Sequence, residues 1–287
     1  MGKNNDAFYT TEKNVNFVID KIKELYIEDF SEIEFLEPSA GNGAFSNKLP
    51  NCLAYDIEPK GEGIIRADFL KSDLRKSGLV TVGNPPFGKR SKLAIDFVNK
   101  SAEYSDLIVF ILPNQFLKYN TQNKIRKDLK LTHTFELPEE TFLIDGEEEA
   151  LGIRCVLQFW VKENSEYDIY NNQRILERPS INIPEEVLIW QHNGTKSSMK
   201  NLDEDWDIAL YRQGYKDYDK IFIREEDYDF IKERMENSSD QFFFIKYISE
   251  ESPEIVSRIN FEELAYKNTT TPGFGKADFV QEYKNNM

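Results

Sequence analysis

The sequence predicts an α/β fold: a doubly wound sheet of seven strands, followed by a smaller C-terminal α+β domain. Three observations predict it. From Glu32 to Trp160 short apolar runs alternate with amphipathic stretches, the rhythm of strands and crossover helices. Several apolar runs end in an acid or a glycine, as strands do where they turn toward a ligand. After about Glu163 the rhythm stops, and the chain to about Pro179 is rich in Glu, Asn, Arg and Tyr.

Taken in order, Val15–Tyr26 carries Val15, Val18, Ile19, Ile22 and Leu25 at helical spacing and should pack on the sheet. Strands are expected at Ile33–Glu37, Cys52–Ile57, Gly63–Ala67, Leu79–Gly83, Leu107–Pro113, Thr132–Leu137 and Ile153–Val161, each enriched in Val, Ile, Leu or Phe. Lys92–Tyr104 places Leu93, Ile95, Phe97 and Val98 between charged residues, giving a helix with one buried face. A domain boundary is expected at residues 163 and 164. Beyond it, Glu186–Gln191 and Phe242–Ile248 read as strands and Glu226–Met235 as a helix. The chain has no internal repeat and no low-complexity tract.

The longest apolar run, Leu107 to Leu112, is far short of the roughly 20 residues of a membrane span. Met1–Asp6 lacks the apolar stretch of a secretory signal, so a cytoplasmic location and no membrane partner are expected. Cys52 and Cys155 sit among apolar neighbours and read as reduced core thiols. His133 and His192 fall in no metal-ligand or catalytic-triad spacing, and no metal is implied. With 36 basic and 51 acidic side chains the net charge is −15, which counts against nucleic acid as a partner unless a basic cleft is locally concentrated. Two such concentrations exist: Lys89, Arg90 and Lys92, and the run Lys118, Lys124, Arg126, Lys127, Lys130.

Four segments carry chemistry. The first is Glu37-Pro38-Ser39-Ala40-Gly41-Asn42-Gly43, where an apolar strand ends in an acid and enters a Gly-x-Gly turn that lets backbone approach a ligand. Next, Asp56 and Ile57 end the following strand, where a carboxylate can accept both hydroxyls of a ribose. Asp68 and Phe69 end the third, offering an acid for an adenine amino group and a ring for its face. Three successive strand ends thus form an adenosine site. The fourth segment, Asn84-Pro85-Pro86-Phe87, combines a rigid carbonyl, an amide oxygen and an aromatic surface, which suits a planar substrate bearing an amino group.

These residues resemble the amino-methylating DNA methyltransferases, especially the adenine-specific enzymes of bacterial modification systems and phages, over about residues 6 to 161. The resemblance implies a Rossmann-like methyltransferase sheet in residues 1–163 and S-adenosyl-L-methionine as cofactor. It implies a segment at Phe8, Tyr9 and Thr10 that closes over the methionine portion. Glu37, Pro38, Ala40, Gly41, Asn42, Gly43, Asp56, Ile57, Asp68, Phe69 and Asn84 would line the cofactor, and Asn84, Pro85, Pro86 and Phe87 would be catalytic. Asn42 departs from the small hydroxyl residue that many relatives carry between the glycines. The implied reaction is methylation of the N6 amine of an adenine flipped out of double-stranded DNA, with a cognate restriction endonuclease as a partner in modification systems. Residues 164–287 would then recognise the target. Substrate contacts are expected from Lys89, Arg90, Lys118, Arg212, Lys216 and Lys276, with Tyr211 and the loop Thr269–Lys276 beside them. Two alternatives stay open: methylation of an RNA base or a protein glutamine amide, and a non-catalytic nucleic-acid-binding relative.

Overall fold

The computed structural model describes residues 9–138, 142–144, 147–149, 154–178, 181–214, 216–267 and 272–287. Phe8 and part of the loop Thr269–Lys276 lie outside the described residues. The chain divides into two compact units, Met1–Arg178 and Pro179–Met287. The break therefore falls later than residue 163. The polar segment after Glu163 stays with the first unit because the Arg174 guanidinium, 6% exposed, donates to the carbonyls of Gln122, Ile125, Arg126 and Leu129.

The first unit contains β1 (Tyr9–Thr10), α1 (Glu12–Leu25), β2 (Phe35–Glu37), β3 (Cys52–Asp56), β4 (Ile65–Arg66), β5 (Leu79–Gly83), α2 (Lys92–Ser101), β6 (Ser105–Pro113), α3 (Tyr119–Gln122), β7 (Leu129–Glu136), β8 (Phe142–Ile144), β9 (Glu147–Glu149) and β10 (Cys155–Lys162). Seven strands form one sheet in the order β4-β3-β2-β5-β6-β10-β7. β10 runs antiparallel to both neighbours, and the remaining neighbours pair in parallel. This is the Rossmann-like methyltransferase sheet. The chain winds outward from β2 to β4 and returns at β5, which puts a topological switch point between β2 and β5.

Period-2 alternation explains why β6 reads as an unbroken apolar run. Leu107, Val109 and Ile111 join Val15, Val18 and Ile22 of α1 in one core layer, while Ile108, Phe110 and Leu112 join Ala94, Ile95, Phe97 and Val98 of α2 in the other. A strand buried on both faces of the sheet has no polar side to show. α1 starts where Thr11 accepts from the Asn14 amide, an N-cap worth about 1 kcal/mol. The crossover from β2 to β3 is a series of turns. β1 was not foreseen. It pairs antiparallel with β8 of the β8–β9 hairpin.

The second unit contains β11 (Val187–His192), β12 (Ile208–Tyr211), β13 (Ile221–Ile223), α4 (Arg224–Asn237), β14 (Phe242–Tyr247), α5 (Ser252–Ser257), α6 (Phe261–Tyr266) and α7 (Lys276–Asn285). Its sheet, in the order β11-β14-β12-β13, is antiparallel throughout. A core rich in aromatic rings includes Trp206, Tyr218, Phe222, Phe242, Phe243, Phe244, Phe279 and Tyr283. Among the described residues no helix is long and apolar enough to cross a membrane. Cys52 and Cys155 are both free thiols.

Candidate functional site

The C-terminal ends of β2, β3 and β5 bring the predicted segments together. Glu37, 2% exposed at the end of β2, accepts from the amides of Phe45 (3.3 Å) and Ser46 (2.7 Å). It thereby fastens the far side of the glycine loop rather than facing an open site. Burial raises its pKa to about 7, against the lowering effect of the Ser46 and Phe45 hydrogen bonds. Gly41 and Gly43 have φ of +54° and +84°, a left-handed backbone that glycine adopts without steric cost. A Cβ on Gly41 would lie 2.7 Å from the Tyr9 ring. The Tyr9 ring thus lies directly over the glycine loop, as close as the missing side chain permits.

Asp56 ends β3 within the same cluster. One carboxylate oxygen accepts from the Gly41 amide and the other from the Glu58 amide, both at 2.7 Å. The acid is therefore positioned against the loop by backbone donors, and each oxygen keeps a second lone pair for a hydroxyl. Ile57 beside it is 67% exposed, an apolar side chain not engaged by the core and available to cover a planar ring. Asp68 accepts from the Leu70 amide and pairs with Lys71 at 2.8 Å. Phe69 is different from its expected place. It is 2% exposed and packs near the rings of Tyr55, Phe97 and Tyr104. An aromatic that completes the α2 face of the core has no free face for a ligand.

Asn84 follows β5, on the other side of the switch point from Glu37. Its carbonyl accepts from the Ser39 hydroxyl at 3.2 Å, which joins the Asn-Pro-Pro-Phe segment to the glycine loop. Pro85 is buried, and Phe87 is half-buried. The Phe87 ring rests on both core layers and keeps part of its surface exposed. Directly after it, Gly88, Arg90 and Ser91 have φ of +65°, +55° and +57°. Left-handed backbone costs a non-glycine residue about 1–2 kcal/mol, so the Arg90-Ser91 turn is strained. The Ser91 hydroxyl donates to the Gln115 amide oxygen at 2.9 Å, a link that sequence alone does not signal. Lys89 and Arg90 are exposed and Lys118 is half-buried.

The three cations expected to contact substrate from the second unit are engaged within it. Arg212 donates to the Gln241 amide oxygen and is half-buried. Lys216 pairs with Asp240 at 2.7 Å. Lys276 donates to the Ile189 carbonyl at 2.8 Å, and burial lowers its pKa. Tyr211 is likewise a core ring, stacked with Phe242. In this structure all three cations therefore have partners within the second unit.

No protein-family model matches the chain, and no curated protein matches its sequence. Among solved structures, it resembles a provisionally named RNA methyltransferase from Pyrococcus horikoshii (16% identity, 55% of this chain and 87% of that one, TM-score 0.42). It also resembles the modification subunit of a provisionally named type I restriction enzyme from Vibrio vulnificus YJ016 (14% identity, 56% of this chain and 46% of that one, TM-score 0.41). A third similar structure is the 23S rRNA methyltransferase ErmE (12% identity, 55% of this chain and 71% of that one, TM-score 0.37). The chain thus spans just under half of the Vibrio subunit.

Proposed function

We propose that the chain is a methyltransferase that carries the methyl group of S-adenosyl-L-methionine to the N6 amine of an adenine in DNA. The observation that carries this reading is the place of Asn84-Pro85-Pro86-Phe87: it follows β5 at the switch point and is tied through Ser39 to the glycine loop. The residues at the strand ends suit the cofactor. Asp56 stands against Gly41 with lone pairs for the ribose hydroxyls, Ile57 is free to cover the adenine, Asp68 can accept from its amino group, and Tyr9 lies over the loop. When bound, the cofactor supplies an electrophilic methyl group on a sulfonium sulfur.

The protein's own part is positioning. The Asn84 side-chain oxygen and the Pro85 carbonyl accept the two amine hydrogens of the target base and turn its nitrogen lone pair out of ring conjugation. The exposed part of Phe87 stacks on the flipped base. No strong base is needed, because a proton leaves the nitrogen readily once it carries the positive charge. The second unit would select the target sequence, the protein would act in the cytoplasm, and a restriction endonuclease of the same specificity would be its partner in a modification system.

The test is transfer of radiolabelled methyl from S-adenosyl-L-methionine to DNA, RNA or bulk protein, followed by identification of the methylated group. N6-methyladenine in DNA is the expected product. Label in RNA or in a glutamine amide would redirect the substrate, and absence of cofactor binding by calorimetry would support a non-catalytic binding protein. Asn84→Ala should reduce transfer at least about 100-fold, as loss of an oriented hydrogen bond to the reacting group does, and leave cofactor affinity within about threefold. Wild-type turnover in that variant would refute the role of Asn84.

A further inference from the structure

We infer that Ser91 and Gln115 are positioning residues that hold Arg90 against a DNA phosphate beside the target base. The inference rests on the methyltransferase reading and adds to it the means by which the catalytic segment and the nucleic-acid backbone are kept in register.

Ser91 occupies the N-cap position of α2, where a serine ordinarily has extended backbone and accepts from an amide of the first helical turn. Here it does neither. Its backbone is left-handed (φ +57°, ψ +22°), it makes no capping hydrogen bond, and its hydroxyl donates instead to Gln115, just past the end of β6. Ser91 is 3% exposed, so this hydroxyl has exchanged water for one partner in the turn after β6. Arg90 is also left-handed (φ +55°, ψ +37°). Two successive non-glycine residues in this region do not persist through local preference, because each alone prefers the right-handed or extended region. Tertiary contacts must hold them, and the Ser91–Gln115 hydrogen bond ties this turn to the segment that follows β6.

The consequence of the turn is the exposure of Arg90. Gly88 is left-handed as well, and a Cβ there would lie 2.8 Å from Leu93, so the chain between Phe87 and α2 folds back tightly on the helix. Lys89 and Arg90 stand exposed at the crest of the fold, three residues or fewer from the proposed stacking ring. Among the described residues no ion pair engages Lys89, Arg90 or Lys92. Arg212, Lys216 and Lys276, by contrast, are all engaged inside the second unit. In a protein of net charge −15, an exposed arginine beside the catalytic segment is where a phosphate would be gripped.

The experiment measures binding of a short fluorescent DNA duplex to the full chain between about 50 and 200 mM salt, where each phosphate contact contributes about 0.9 to the slope of log affinity against log salt. Arg90→Ala should lower the slope by about one. Ser91→Ala and Gln115→Ala should each do the same, and Arg90→Ala combined with Ser91→Ala should lose no more than either alone, because Ser91 acts through Arg90. Ser91→Gly, which relieves the left-handed strain, should stay nearer to wild type than Ser91→Ala. Thermal melting checks that each variant folds. Gln115→Ala reaches the same hydrogen bond from the segment after β6 if a Ser91 variant does not fold. A wild-type slope in Ser91→Ala and Gln115→Ala, or additive losses in the double variant, overturns the inference. Calorimetry with S-adenosyl-L-methionine separates the two readings: a wild-type chain that takes up no cofactor overturns both, whereas normal uptake with a wild-type slope in the variants overturns only this one.

Discussion

Glu37 is the buried acid on which the geometry of the glycine loop depends, and its environment gives it a distinctive pH signature. Its pKa is raised from about 4.5 to about 7, chiefly by burial. A carboxyl group that holds its proton more tightly when folded favours folding at low pH. That contribution declines as pH rises from about 4.5 through about 7 and then levels off, by an amount on the order of 3 kcal/mol for a shift of this size. Glu37→Gln removes the titration. Urea unfolding of the two proteins from pH 5 to 8 should show the wild type losing ground to the variant as pH rises, and a constant offset would contradict the assignment. Other residues show which chemistry was legible. Asp56 was expected at a strand end beside the glycine loop and lies there, its carboxylate accepting from the Gly41 amide. Phe69 could not be read, since an aromatic after an acid has the same pattern whether it faces a ligand or fills the layer under α2. Lys216 reads as a free cation until the fold brings up Asp240, a partner distant in sequence.

At the level of elements, legibility followed the strength of the local pattern. β5 was expected at Leu79–Gly83 and lies there, and β6 is longer than expected by two residues, because two-faced burial makes such strands uniformly apolar. β1, β12, β13 and the β8–β9 hairpin have four residues or fewer each, too short for a period to declare itself. The segment after Glu163 is polar, and its loss of apolar rhythm places the expected domain boundary at its start. It is fastened by one side chain, whose role follows from spatial neighbours alone. Arg174 donates to four carbonyls at the end of α3 and just beyond it, and its guanidinium lies 5.8 Å from the Trp160 ring centre. Burial lowers its pKa, and the four carbonyl acceptors compensate the loss of water. Arg174→Ala would strand them together and should destabilise the first unit by about 3 kcal/mol. Arg174→Lys, with fewer donors on a rounder head, should recover only part. Chemical denaturation measures both, and a loss below about 1 kcal/mol for alanine would mean that water replaces the guanidinium.

For the whole molecule, the two units have separate cores: the clusters built on the seven-stranded sheet draw on residues 15–167, and the cluster of the second unit draws on residues 187–283. Separate cores unfold as separate cooperative transitions. Their electrostatics give the transitions opposite pH responses. Glu37 makes the first unit less stable as pH rises toward about 7. In the second, Asp240 has a side chain 6% exposed; burial alone would raise its pKa, but hydrogen bonds from Lys216 and Arg234 outweigh that and lower it. An acid depressed in the folded state contributes stability that is complete above its unfolded value of about 4 and is lost as pH falls through its lowered folded value. Calorimetric scans should therefore resolve two transitions whose separation changes with pH, and Asp240→Asn should shift only one of them. A fragment of residues 1–178 should melt as the other and bind S-adenosyl-L-methionine within about threefold of the full chain, because Gly41, Asp56 and Asn84 and the core beneath them all lie within it. A fragment that folds without binding would place part of the cofactor site in the second unit. A single transition that Asp240→Asn moves as a whole would show that the two cores melt as one.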